Sequence, residues 1–120
     1  MATDKPNPLF QPQRFRTTDQ LVEFQSKVAA IGRGIMGPKN RDYGDTENND
    51  PFANLRIDGP GGIVVRMQDK LSRLRTFTKK GRLTVEEESV YDTAIDLMNY
   101  ATIFLALIAD EQYRREKDQL

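Results

Sequence analysis

The chain has no cysteine and no histidine. The first absence removes disulfides and thiolate nucleophiles, the second removes imidazole bases, and together they exclude Cys/His zinc sites. Any chemistry must run on carboxylates, Lys, Arg, Tyr and hydroxyls, and any bound cation must be a hard one held through oxygen, Mg²⁺ or Mn²⁺. Net charge is missing as well. Eighteen basic residues cancel eighteen acidic ones, so no overall field draws the chain to nucleic acid, and nonspecific DNA binding is not expected. There is no long hydrophobic run. The most apolar stretch, Ala101 to Ala109, is too short to span a bilayer, and Asp96 and Asn99 interrupt its extension. No signal-peptide pattern opens the sequence. At 120 residues the expectation is one soluble, cytoplasmic domain with a modest core and no membrane partner.

Residues 1–16 hold Pro6, Pro8 and Pro12, a spacing that favours an extended arm over a helix. Phe10 and Phe15 leave two readings open, a frayed end or an arm docked on its own domain or on a second subunit. Thr17 then opens a helix, with Gln20 completing a capping box. Leu21, Phe24, Val28, Ile31 and Ile35 form its apolar stripe, and Gly37-Pro38 is expected to end it. A long polar loop follows, Lys39 to Asp58, with Pro51 placed to start a short helical turn.

The rest of the domain, to residue 111, is organised by Gly61 to Ile108, which reads as two helices joined at Lys80-Gly81. Val64, Met67, Leu71 and Leu74 are the expected core stripe of the first. Val90, Ala94, Leu97, Ala101, Phe104 and Ile108 are that of the second, whose start is expected at Thr84 with Glu87 as capping partner. Residues 112–120 form a polar helix end or tail. The expected fold is all-α, a small helical bundle with a central antiparallel hairpin.

Folding at Lys80-Gly81 brings Arg73 level with Glu88, Lys70 with Asp92, and Arg66 with Asp96. Glu88, Asp92 and Asp96 stack on one helix face, with Asn99 one turn on, and like charges so placed need an offset. Solvent, an ion ladder across the hairpin, or a divalent cation with the basic row left for phosphate would each supply it. Asp96 and Asn99 interrupt a helix apolar on nearly every side, and buried carboxylates must be paired or bound to metal.

Several of these segments, in order, resemble the nucleotide modification associated domain 1 family of bacteriophages and bacteria. They are Lys39…Asp42-Tyr43-Gly44, Pro51-Phe52-Ala53-Asn54-Leu55-Arg56, Arg66-Met67-x-Asp69-Lys70-Leu71-x-Arg73-Leu74, and Glu88-Ser89…Asp92-Thr93…Asp96-Leu97-x-Asn99-Tyr100-Ala101. The resemblance covers roughly residues 39–108 and implies a role linked to nucleotide or DNA-base modification, in the host cytoplasm where the gene is a phage's. More distantly the chain is similar to the all-α MazG and dimeric dUTPase pyrophosphohydrolases, which hold Mg²⁺ on acids of two helices. Their glutamate cluster on the preceding helix is replaced here by Arg66, Asp69, Lys70 and Arg73.

Three functions stand as expectations. The first is binding of a nucleotide, with Lys39, Arg56, Arg66, Lys70 and Arg73 on phosphate and Tyr43 and Phe52 stacking on a base. Asp42, Asn54 and Asn99 would orient these groups. The second is Mg²⁺-dependent pyrophosphate hydrolysis, with Asp69, Glu88, Asp92 and Asp96 as metal ligands. The third is a non-catalytic protein that sequesters a nucleotide or contacts a nucleotide-modifying enzyme. In each case a homodimer is expected, the partner completing the bundle.

Overall fold

A computed structural model describes residues 8–43, 50–81 and 89–118, with the side chains of Pro8, Asp42 and Tyr43 left out. Among the described residues all regular structure is helical: a short 3₁₀ turn at Pro8–Phe10, then α1 (Thr18–Tyr43), α2 (Gly59–Lys80) and α3 (Val90–Asp118). The fold is a small all-α bundle.

The capping box at the start of α1 forms as its residue types require. The Gln20 amide donates to Thr17 Oγ1 at 3.1 Å, and Gln20 Oε1 accepts from the Thr17 amide at 3.3 Å. At the other end the helix does not stop at Gly37-Pro38 but runs through Pro38 to Tyr43. Pro38 removes one helical hydrogen bond. A long-range contact favours the extension, because the next residue, Lys39, reaches Asp96 on α3. The polar loop is therefore shorter than expected by Lys39 to Tyr43.

α2 ends where the glycine rule puts it. Gly81 takes a left-handed conformation, φ 75°, and its amide donates to the Phe77 carbonyl at 2.7 Å. α3 begins at Val90, capped by Ser89, whose Oγ accepts from the Asp92 amide at 3.0 Å. The cap expected at Thr84 and Glu87 lies outside the described residues. Nine residues separate α2 from α3, and the hairpin register moves by one helical turn. Lys70 therefore meets Asp96 rather than Asp92.

α2 and α3 make most of the contact between helices, and α1 crosses α3. The core cluster is Leu55, Ile63, Ile103 and Leu107, with Met36, Phe52, Met67, Tyr100 and Phe104 packed around it. Leu55 comes from the turn at residues 51–58, which bonds like a helix (Arg56 amide to Phe52 carbonyl, 2.9 Å; Gly59 amide to Leu55 carbonyl, 3.1 Å). The expected stripes are met in part: Met67 and Phe104 pack on the core cluster, while other members do not. Thr93, Ile95, Asn99, Ile103 and Leu107 are the buried residues of α3, and Ile63 is the buried residue of α2. Val64, Leu71, Ala94 and Ile108 are exposed. α3 is apolar on more than one side, and its neighbours cover the side that carries Asn99.

The arm lies against its own chain. Phe10 stacks on Tyr91 with ring centroids 4.4 Å apart, and Phe15 meets Phe24 edge-on at 5.1 Å.

Candidate functional site

Three helices meet at Asp96. Its Oδ1 accepts from Lys39 Nζ of α1 at 3.0 Å and its Oδ2 from Lys70 Nζ of α2 at 3.1 Å. Each carboxylate oxygen thus has its own ammonium partner. The Asp96 and Lys70 side chains are mostly covered, 16 and 14 % exposed, while Lys39 is 48 % exposed. Burial pushes the Asp96 carboxyl up, but the hydrogen bonds and charges of Lys39 and Lys70 outweigh it and hold the group below the usual carboxylate range. The two lysines come from different helices and meet on one side chain of a third.

One turn along α3, buried Asn99 donates from Nδ2 to the Gly32 carbonyl of α1 at 3.1 Å. The helices can approach this closely because residue 32 has no side chain: a Cβ there would stand 2.9 Å from Asn99 Oδ1 and 2.6 Å from Met98 Cε. Asn99 therefore seats α1, which in turn carries Lys39 to Asp96. Beside them is a cavity of about 10 Å³ lined by Met36, Lys39, Asp96, Asn99, Tyr100 and Ile103. It has room for about one water. A ligand would have to lie at its mouth.

The other expected residues divide into three groups. Arg66, Lys70 and Arg73 share one side of α2, with Arg73 bonded to Asp69 at 3.2 Å within that helix. Asp92 is exposed one turn before Asp96. Arg56 is elsewhere. It grips Asp50 through Nε at 2.9 Å and Nη2 at 3.1 Å, and Nη2 also reaches Asp110. Asp110 further accepts from Arg114 Nε at 2.9 Å. These bonds raise the Arg56 pKa and hold Asp50 and Asp110 below the usual carboxylate range, the Arg56 hydrogen bond being the main cause for both acids. Asp110 is fourteen residues, about 21 Å, along α3 from Asp96, so Arg56 and its neighbour Asn54 are not brought to the Lys39–Lys70 point. Phe52 packs on the core cluster with the Arg56 guanidinium 5.2 Å above its ring. Glu88, and the side chains of Asp42 and Tyr43, lie outside the described residues.

A Mg²⁺ site does not fit the described donors. Both Asp96 oxygens face ammonium groups, Asp69 pairs with Arg73, and no three acids converge among the described residues. Sequence reasoning passed over Gly32 and Met36, which meet the site only through contacts distant in sequence, and Tyr100, which shares α3 with Asp96. Of these, Tyr100 carried a signal, as the aromatic next to Asn99. Compared with family models, curated proteins and solved structures, the chain matches none.

Proposed function

We propose that the chain is a phage-type, nucleotide-linked binding protein that holds a nucleotide phosphate at the mouth of the Asp96 cavity, without a metal ion. The supporting observation is the convergence of Lys39 and Lys70 on one largely covered carboxylate. Asp96 fixes both ammonium groups in place, so their ordering is settled before a ligand arrives. Lys39, the more exposed of the two, offers its remaining protons to a phosphate oxygen. Arg66 and Arg73 lie on the same side of α2 as Lys70. Tyr100 lines the same cavity as Lys39 and Asp96 and offers an aromatic face there. The motif resemblance supplies the ligand class, a nucleotide or modified nucleotide.

The test is thermal unfolding with a panel of ribo- and deoxynucleoside mono-, di- and triphosphates, in chelator and in Mg²⁺. Ligand at about 100 times its Kd should stabilise the chain by about 2.7 kcal/mol through mass action. A rise in Tm with part of the panel, equal in chelator and in Mg²⁺, is expected. A rise only with Mg²⁺, followed by pyrophosphate release, would replace this reading with hydrolysis. No shift with any nucleotide would leave Lys39–Asp96–Lys70 a structural ion ladder.

A further inference from the structure

α1 is built from poor helix formers at the place where it carries Lys39. Gly32, Gly34, Gly37 and Pro38 fall within seven residues of its interior, and glycine and proline are the residues a helix tolerates least. Packing accounts for Gly32, whose missing Cβ lets Asn99 and Met98 approach. It accounts for neither of the next two glycines. A Cβ at Gly34 or Gly37 would meet nothing within 4 Å, and neither has the positive φ that favours glycine. Pro38 has no amide hydrogen to offer the Gly34 carbonyl one turn back. Tertiary contact does little to make up the loss. Met36 packs on the core cluster, but Gly37, Pro38, Lys39 and Arg41 are exposed and Asn40 is half-buried. Among the described residues, the ion pair of Lys39 with Asp96 is the only side-chain bond made from Gly37 to Arg41.

We propose that Pro38 to Tyr43 is a hinged segment of α1, latched to the body by the Lys39–Asp96 ion pair, and that its opening withdraws Lys39 from the phosphate site. Closed, the segment holds Lys39 Nζ 3.0 Å from one Asp96 oxygen while Lys70 keeps the other. Opening at Gly37-Pro38 takes Lys39 away and leaves Lys70 in place, because α2 packs on α3 directly. The pair suits a latch better than a permanent tie. Lys39 is half exposed, so water takes over its ammonium when the pair parts. The cost of parting is of the same order as the penalty that one proline and two glycines put on the helix, so the open and closed states lie close in free energy. A phosphate bonded to Lys39 beside Lys70 binds the closed segment and not the open one, and therefore draws the equilibrium towards closure. That coupling rests on the nucleotide-binding proposal above; the hinge stands without it.

Residue-resolved amide hydrogen exchange of the full chain tests the hinge without a ligand. Lys39, Asn40 and Arg41 should exchange at least about tenfold faster than Val28 to Gly32 of the same helix. Lys39→Gln should quicken those three amides about tenfold further and leave α2 and α3 unchanged. Fraying of a helix end, which owes nothing to Asp96, would not answer to that change. Gly37→Ala, whose methyl enters open space, should slow the three amides about fivefold, and Pro38→Ala should slow them more. Exchange at Lys39 to Arg41 as slow as at Val28 to Gly32, or unmoved by Lys39→Gln, would overturn the hinge. Inorganic pyrophosphate is the probe for the coupling. At about 100 times the Kd found by calorimetry it should slow the three amides about a hundredfold, and rates unmoved by bound pyrophosphate would overturn the coupling. No heat of binding from pyrophosphate or from any nucleotide would overturn the coupling together with the phosphate site, while the ligand-free exchange rates still decide the hinge.

Discussion

Asp96 is a carboxylate that a helix core would expel if it stood alone. It stays because two lysines, from 57 residues before it and from 26 residues before it, deliver one ammonium to each oxygen. Its acidity follows. Asp96, Asp50 and Asp110 all titrate below the ordinary carboxylate value. A group whose folded pKa is depressed adds stability that is fully present above its unfolded pKa and is lost as pH falls through the folded one. With no histidine in the chain, Tm should be nearly level between about pH 5.5 and 8 and fall below about pH 4. Asp96→Asn should make the acid fall shallower, since that share is then absent at every pH. Asp96→Ala should cost about 2–3 kcal/mol near neutrality, somewhat less than breaking a fully buried pair, because Lys39 can still reach water. Thermal melts of the three proteins across the pH series measure both effects.

At the scale of elements, Arg56 does for the turn at residues 51–58 what Asp96 does for α1. Its guanidinium ties Asp50, just before the turn, to Asp110 on α3 while lying over Phe52. That clamp holds Leu55 in the core cluster. Arg56→Ala should destabilise the chain by about 2–3 kcal/mol by leaving two carboxylates without their shared partner. Amide exchange should quicken first at Leu55 and Arg56, and nucleotide affinity should not change, since Arg56 is far from Asp96. Arg56 also shows what a sequence can carry. The Thr17–Gln20 capping box, the Gly81 stop and the α2–α3 hairpin rest on residues close together in the chain, and all three were legible. The continuation of α1 through Pro38 was not, because it depends on Lys39 meeting a residue 57 positions away. Nor was the separation of Arg56 from Lys70, since it is set by partners far along the chain, Asp110 for the one and Asp96 for the other. The choice of core face on α3 was open for another reason. That helix is apolar on two sides, and periodicity marks a stripe without saying which neighbour covers it.

For the whole molecule, Lys39, Lys70 and Asp96 tie the three helices at one point, and the Arg56 clamp on Asp110 lies about 21 Å from it along α3. Binding and folding should then respond separately at the two points: Arg56→Ala should lower Tm and leave nucleotide affinity unchanged, while Lys39→Gln should do the reverse. The most direct measurement is calorimetric titration, in chelator, of the nucleotide that most raises Tm, against the unmodified chain and Lys39→Gln. Removing one charge-assisted hydrogen bond of about 1.5–3 kcal/mol should weaken binding roughly ten- to hundredfold without lowering Tm to match. Equal affinity in the two proteins, or no heat of binding from the unmodified chain, would contradict a phosphate site at Lys39, Asp96 and Lys70.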